Sequence, residues 1–438
     1  MAKIFIKDLK EYFGKEIELQ AFVDNIRDLQ WVQFVILRDG TGKVQMTIEK
    51  SEEKNKNLVE LISKLPLEST VLIKGIVMDS PKVKLNGMEI IPTHIEVTST
   101  SMQELPINIK KKDNALRETR LDYRFLDLRR EDNHLLFQAQ TIFEHAAREF
   151  FINHNFMEIH SPKISAKAAE SGAEVFKLDY FGQEACLSQS PQFYKQMAMA
   201  SGFDQVFEIG PAFRAENSHT SYHATEINML DVEVSWVKDE NEVMDVEENL
   251  LKYMFKRLKE TYGKEIEETF HVTLSNIDVK FPRITFQEAK RILKEEMNFV
   301  GERTDDFERH EEELLCKYAK EKYNSDFIFV TKFPFEARPF YHMLDENGLT
   351  KSYDLLFKGV EITTGAIREH RVDILTKQII EKEIDPKSLQ FYLEFFKYGC
   401  PPHGGFAIGI ARMMMEIFEI DNIREATFIY RGPTRLNP

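Results

Sequence analysis

VFEIGPAFRAENSHTSYHATEINMLDVEVSW, residues Val206–Trp236, is the stretch on which the fold turns. An apolar strand leads to Phe213-Arg214-Ala215-Glu216, a polar loop follows, and a second strand-like run covers Ile227–Val234. The pattern predicts a hairpin with Arg214 at its inner end. One reading is an ordinary hairpin with a surface salt bridge. The chemical reading is an ATP site, in which Arg214 can meet the α-phosphate, Glu216 the adenine amino group or an incoming acceptor end, and His223 the outer phosphates.

HGGFAIGIARMMMEIF (His403–Phe418) is a glycine-rich strand that runs into a helix, with Arg412 at the junction. Glycines permit close approach of a flat base or phosphates. A guanidinium there can stack on adenine and pair with the γ-phosphate. The spacing fits neither a P-loop nor a dinucleotide fingerprint.

Outward from these segments, Leu135–Asn153 reads as an amphipathic helix with Leu136, Ile142, Ala146 and Phe150 near one face. A short strand, Phe156–Ile159, then ends in Ser161-Pro162, and Asp239–Tyr262 is a second long helical region. Residues 14–98 alternate in the strand period over Lys15–Val23, Gln33–Arg38 and Lys43–Ile48, then show helical spacing over Asn55–Lys64, and return to strands over Ser69–Met78 and Met88–Val97. Three strands, a helix and two strands are the order of an OB-fold barrel, which often presents one face to single-stranded nucleic acid. Between the two regions, Lys110-Lys111-Lys112 and RLDYRFLDLRR (Arg120–Arg130) read either as a helix that docks two domains or as a basic hinge touching RNA backbone.

The segments around Arg214 and Arg412 resemble motifs 2 and 3 of the class II aminoacyl-tRNA synthetases, and Leu135–Pro162 resembles motif 1, the dimer interface in that family. Three further segments resemble the aspartyl subgroup: Gln189-Ser190-Pro191-Gln192-Phe193-Tyr194-Lys195-Gln196, Gly359–Arg371 (GVEITTGAIREHR), and Ala168-Ala169-Glu170-Ser171-Gly172, which looks like a mobile loop over bound amino acid. The fold implied is α+β: an N-terminal OB barrel over 1–102, a hinge over 103–132, and a class II catalytic domain over 133–438 built on an antiparallel sheet flanked by helices.

The resemblance implies ATP-dependent activation of L-aspartate and its transfer to tRNA(Asp), with tRNA(Asn) as a further substrate to consider. Arg214, Glu361 and Arg412 would be catalytic, with Glu216 and His223 also holding ATP. Glu170, Gln192, Lys195 and Arg368 would bind aspartate. Asp354, Glu361 and Thr364 would hold Mg²⁺, whose preference for oxygen ligands suits them. Arg27, Phe34 and Gln45 would contact the anticodon. Other readings are an asparaginyl enzyme, a tRNA-independent enzyme making asparagine, and a non-catalytic RNA-binding paralogue. Lys195 added to Arg368 favours an anionic substrate over a neutral amide.

Five places depart from the family pattern. Asp24 stands where relatives have Trp or His, Tyr222 replaces an Arg, Ile227 an aromatic residue and Ala411 a Glu, and Tyr430-Arg431-Gly432-Pro433 differs from the usual ending.

Composition bounds the partners. The 438 residues are 42% hydrophobic and 30% charged, with a formal net charge of -15, which argues against a protein that merely coats nucleic acid. The three cysteines lie far apart, so a disulfide framework is not expected. No stretch reads as a membrane span, and a cytoplasmic homodimer is expected.

Overall fold

A computed structural model describes residues 3–111, 115–166 and 174–437. The chain divides into two compact units, Met1–Ala115 and Leu116–Pro438.

In the first unit β1 (Glu16–Asp28), β2 (Val32–Asp39), β3 (Gly42–Glu49), α1 (Lys56–Lys64), β4 (Thr70–Asp79) and β5 (Met88–Ser99) follow the expected order. Among the described residues the strands close a barrel in the order β1-β2-β3-β5-β4. Leu19, Val35, Leu37, Met46, Ile73 and Ile90 fill it. The β2–β3 turn forms because the Asp39 carboxylate accepts from the Thr41 and Gly42 backbone N–H groups at 2.7 and 3.1 Å. The β1–β2 register shifts between Val23 and Asn25. Asp24 at that bulge is buried, with Arg38 at 3.3 Å, Lys43 at 3.3 Å and Lys110 at 3.5 Å.

The second unit opens with α2 (Arg117–Asp122), α3 (Arg124–Asp127) and α4 (Glu131–Asn153), followed by β6 (Met157–Glu158), β7 (Ile164–Ala166), β8 (Lys177–Tyr180), β9 (Gln183–Leu187) and α5 (Gln192–Ala200). The hairpin of β10 (Gln205–Phe213) and β11 (Glu226–Ser235) leads to α6 (Glu240–Phe270). Next come β12 (Arg283–Thr285), α7 (Phe286–Glu295), α8 (Arg309–Tyr323), β13 (Phe327–Thr331), β14 (Ser352–Phe357) and β15 (Val360–Ile367). The unit ends with α9 (Val372–Glu381), α10 (Gln390–Phe396), β16 (His403–Gly409), α11 (Ile410–Ile417) and α12 (Ile423–Ala426). Among the described residues eight strands form one sheet in the order β12-β13-β14-β15-β16-β11-β10-β6. The inner pairs are antiparallel. The short edge strands β12 and β6 pair parallel to β13 and β10, so the sheet is mixed rather than purely antiparallel.

The long helices pack on one face of this sheet. Phe143, Phe151, Leu250, Met254 and Phe255 meet Phe207, Leu230, Val232, Phe327, Phe357, Phe406 and Ile408 in one core. In α4 the buried stripe runs Leu136, Ala139, Phe143, Ala146, Phe150, while Ile142 is half-buried, because the stripe steps by three and four residues and passes through Phe143 instead. Helix α6 starts where Asp239 caps it and runs past Tyr262 to Phe270. The arginines of Arg120–Arg130 do not form an open basic surface. Arg120, Arg124 and Arg130 are buried. Arg120 donates to Glu425 at 2.7 Å, and Arg124 donates to Asp127 at 2.6 Å and to the Thr427 carbonyl at 2.8 Å, so they fasten the C-terminal segment. The cysteines are free.

Candidate active site

Successive side chains of a strand point to opposite faces. On β11, Leu230 and Val232 enter the hydrophobic core, so Asp231 and Glu233 stand on the other face. Cross-strand pairing sets Asp231 opposite Glu208 and Ala407, Glu233 opposite Gly405, and Thr364 opposite Ala407. One face of the sheet is therefore greasy and the other ionic.

At one end of the ionic face lies a cavity of about 310 Å³. Arg214, Glu216, His223, Glu361, Thr364 and Arg412 all line it. Six residues chosen from the sequence for nucleotide and metal binding thus share one wall. Tyr222, Ile227 and Ala411, three of the family departures, line it too. Arg412 Nη1 donates to the Glu361 carbonyl at 2.8 Å, tying α11 to β15. Arg214 has no side-chain hydrogen bond among the described residues. His223 Nε2 is 3.6 Å from Glu216 Oε2. Burial holds the imidazole below its ordinary pKa, with Arg412 and Arg214 adding to the effect against Glu216. It therefore enters the cavity neutral, as a hydrogen-bonding group.

The glycines of β16 divide by task. A Cβ on Gly405 would lie 2.1 Å from the Val232 carbonyl oxygen and 2.2 Å from Glu233 Oε2. A Cβ on Gly404 would lie 2.9 Å from the Ala366 carbonyl oxygen. These two make room for the protein's own strands. Of the three, Gly409 alone lines the cavity, and the close-approach reading holds only there.

Further along the ionic face are Lys195 and Arg368, both buried. Lys195 Nζ is 3.1 Å from Asp231 Oδ1 and 3.4 Å from Glu233 Oε2, and donates to the Val232 and Phe406 carbonyls. Arg368 Nε donates to Glu233 Oε1 at 3.0 Å and Nη2 to the Gly405 carbonyl at 2.9 Å. The two cations, carried by separate elements, thus meet on Glu233. Asp231 and Glu233, two buried carboxylates that the sequence reading did not include, neutralise them. Burial opposes the charge of Glu233, yet Arg368 and then Lys195 hold its carboxyl below the usual range. Burial pushes Asp231 up, against the pull of Lys195. Ala407 pairs with both Asp231 and Thr364 and lines the cavity, so this cluster adjoins the nucleotide wall.

Gln192, on α5, donates to Gln196 at 2.9 Å, and Gln196 contacts His403 Nε2 at 3.0 Å. It sits in a buried polar relay beside the cluster. Glu170 lies outside the described residues. Asp231, Glu233 and His342 were not foreseen. His342 Nε2 faces Arg368 Nη1 at 3.3 Å, and its ring is held far below its ordinary pKa by burial and then by Arg368. The available signal was two acids spaced two apart in the valine-rich run Asp231-Val232-Glu233-Val234, which puts both on one face.

Glu361 and Thr364 present oxygen donors to the cavity, with Thr364 Oγ1 donating to Glu361 Oε1 at 2.8 Å. Asp354 does not join them. It pairs across the strand with Thr364, but both its oxygens accept from Arg338, and it is absent from the cavity wall. Burial raises its pKa to about 7 against that partner. Among the described residues no group of three or more His, Cys, Asp or Glu side chains is arranged to hold a metal. Two hard donors on the wall of this cavity fit Mg²⁺, which keeps waters and leans on substrate phosphates rather than on a protein cage.

In the barrel, Phe34 lies between buried Gln33 and Val35 and is itself half-buried, so it stands on the outer face rather than in the core. It pairs with Arg27, whose guanidinium is 5.6 Å from its ring centroid. Gln45 is buried and donates to Thr47 at 3.2 Å.

Comparison with known proteins agrees with this geometry. Residues 116–430 match the family of class II tRNA synthetases (D, K and N), and residues 17–98 match the OB-fold nucleic acid binding domain. The chain is 42% identical over 434 residues to an aspartate–tRNA(Asp) ligase of Pyrococcus horikoshii, covering 98% of each chain. It is 41% identical to an aspartate–tRNA(Asp/Asn) ligase of Methanopyrus kandleri, covering 97% of this chain and 96% of that one. The crystal structure of asparaginyl-tRNA synthetase from Pyrococcus horikoshii with asparaginyl-adenylate superimposes with a TM-score of 0.92 at 33% identity, over all of both chains. The two-faced sheet, the shared cavity wall and the preceding barrel therefore have one account: the chain belongs to the class II aminoacyl-tRNA synthetases of the D, K and N group.

Proposed function

We propose that this chain is an aspartate–tRNA ligase that forms aspartyl-adenylate from L-aspartate and ATP and transfers the aspartyl group to the 3′ end of tRNA(Asp). The observation that carries it is the meeting of Lys195 and Arg368 on Glu233 beside the cavity lined by Arg214 and Arg412. Arg368 keeps one Nη1 N–H without a hydrogen-bond partner among the described residues, a charge-assisted donor suited to a side-chain carboxylate. The names of the relatives support the same reading.

The chain's own groups act mainly by placement. ATP lies in the cavity with Arg214 at the α-phosphate, His223 and Arg412 at the outer phosphates, and Glu216 at the adenine. An oxygen of the aspartate α-carboxylate attacks the α-phosphorus in line, the new P–O bond forms, and the bond to pyrophosphate breaks. Arg214 stabilises the charge gathering on the α-phosphoryl oxygens. Glu361 and Thr364 would hold Mg²⁺, which supplies charge neutralisation along the phosphates. The terminal ribose hydroxyl of tRNA then attacks the aspartyl carbonyl and AMP leaves. Fixing both reactants on one rigid sheet removes much of the entropic barrier.

Arg27, Phe34 and Gln45 would meet the anticodon. Asp24, which stands where relatives have Trp or His, is buried under Arg38, Lys43 and Lys110 and offers no exposed side chain to an anticodon base. That observation favours charging of tRNA(Asn) as well. Ile152 and Met157, exposed on the α4–β6 unit, support a homodimer through that unit. No helix of the described residues is long and apolar enough to cross a membrane. A cytoplasmic location belongs to the same proposal.

Pyrophosphate exchange with aspartate and with asparagine, followed by charging of tRNA(Asp) and tRNA(Asn) transcripts, tests the reading. Exchange driven by aspartate alone is expected. Exchange with asparagine alone would make this an asparaginyl enzyme, and exchange with neither would leave an RNA-binding paralogue.

A further inference from the structure

We propose that Arg309, the first residue of α8, is a further phosphate-binding residue of the nucleotide site, reaching the terminal phosphate of ATP from the Tyr222 wall of the cavity. The proposal rests on the reading of that cavity as an ATP site.

In sequence Arg309 looks like a solvated helix residue. It sits in the acidic run Glu308-Arg309-His310-Glu311-Glu312-Glu313, where pairing at i+3 and i+4 is ordinary. The tertiary placement is more specific. Its guanidinium carbon lies 4.4 Å from the centroid of the Tyr222 ring, and Nη2 donates to the Tyr222 hydroxyl at 3.0 Å. Ring and hydroxyl together orient the planar fork, which a surface ion pair would not do. Tyr222 is itself part of the cavity wall.

The other side of the fork faces Glu312, a residue bonded to the wall rather than part of it. Arg309 Nη1 is 3.7 Å from Glu312 Oε2, and the same oxygen accepts from the backbone N–H of Glu361 at 3.4 Å. Arg309 is therefore held between Tyr222, directly, and Glu361, through Glu312, two cavity residues from distant stretches. Of the five N–H donors of an arginine, only two are hydrogen-bonded here among the described residues, one to Tyr222 and one to Glu313. The Nη1 pair makes no hydrogen bond among the described residues and has the Glu312 carboxylate 3.7 Å away as its ionic neighbour, a contact loose enough for a phosphate to displace.

Charge gives that pair a task. Glu312, Glu361 and Glu416 crowd this end of the site, and Glu416 feels Arg309, Lys358 and Arg412 around it. A polyphosphate entering such ground needs cations beyond Arg214 and Arg412. The mount is rigid: Glu308 and Glu311 form a capping box, and Leu315, Cys316 and Ala319 anchor α8 in a hydrophobic cluster. Tyr222, by contrast, belongs to the β10–β11 loop, so the stack also fixes that loop against a helix.

Calorimetric titration of the full-length protein with ATP and, separately, with AMP tests this, using Arg309→Ala, Arg309→Lys and Tyr222→Phe. Arg309→Ala is expected to weaken ATP about tenfold and to leave AMP within about twofold of the unsubstituted protein, since AMP lacks the terminal phosphates. Arg309→Lys should retain part of the ATP affinity, and Tyr222→Phe should fall between it and the unsubstituted protein. Unchanged ATP affinity in Arg309→Ala would overturn the proposal. So would an equal weakening of ATP and AMP, which marks a collapsed wall. If the unsubstituted protein binds neither nucleotide, the ATP reading itself fails.

Discussion

Arg368 Nε donates to Glu233 Oε1 at 3.0 Å, and both side chains are buried in the second unit. Removing one member of a buried pair strands the other, at a cost of about 3–5 kcal/mol. Arg368→Leu should therefore abolish aspartate-dependent pyrophosphate exchange and also lower stability in urea titration by about that amount. Arg368→Lys keeps the charge but loses the fork; it should stay folded, bind ATP normally and show a sharply raised KM for aspartate. Near-normal exchange in Arg368→Leu would remove the aspartate pocket from the second unit's ionic face.

The same carboxylate explains a glycine. A methyl group on Gly405 would meet Glu233 Oε2 at 2.2 Å and the Val232 carbonyl oxygen at 2.1 Å, and the latter is backbone that cannot swing aside. Gly405→Ala should destabilise the protein by about 1–3 kcal/mol or more, as overpacking does. Gly409→Ala is the control: the nearest atom to its Cβ is Arg412 Cβ at 3.7 Å. It should leave the melting temperature nearly unchanged while weakening ATP, because Gly409 lines the cavity. Equal melting temperatures for the two variants would contradict this division.

Those two positions show what a sequence can and cannot display. The barrel was legible because period-two alternation and the Asp39–Gly42 turn are local signals. The cavity residues Arg214, Glu216, His223, Glu361 and Arg412 were legible because each stands at a fixed offset within a recognisable segment. Glu233 was not, since its role depends on register with Gly405 on β16 and on cations from α5 and the end of β15. The sequence reading paired Asp354 with a metal, but Arg338, a non-local partner, takes both its oxygens. Arg309 was hidden by its acidic neighbours, which give no sign of its stack on the Tyr222 ring. For Arg120, Arg124 and Arg130 the sequence left a docking helix and a basic hinge open, and burial on internal partners speaks against the hinge.

His403 gives a pH-dependent stability. Its ring is buried, with Nδ1 2.8 Å from the Pro401 carbonyl oxygen and Nε2 3.0 Å from Gln196 Nε2, and burial lowers its pKa from 6.5 to about 4, with Glu233 opposing. Between those values the unfolded chain binds a proton that the folded chain refuses. Stability is therefore full above the unfolded pKa and is lost as pH falls toward the folded one. The contribution lost between about pH 7 and about pH 5 is on the order of 2 kcal/mol. His403→Gln should flatten the pH dependence of urea stability in that window. An unchanged slope would show that the imidazole does not stay neutral.

The barrel makes a separate prediction, because the strand alternation assigns Phe34 and Leu37 opposite tasks. Leu37 is fully buried in the barrel core, while Phe34 is half-buried on the outer face with Arg27 over its ring. Stacking of a nucleic-acid base on an aromatic ring contributes about 1–3 kcal/mol. Phe34→Ala should therefore raise the KM for tRNA by about one to two orders of magnitude, with pyrophosphate exchange intact, because the residues lining the proposed nucleotide cavity all lie in the second unit. Leu37→Ala should instead lower barrel stability by about 2–5 kcal/mol. If Phe34→Ala unfolds the barrel as Leu37→Ala does, or leaves tRNA charging unaltered, Phe34 is a packing residue and the outer face of β2 is not where the anticodon stacks.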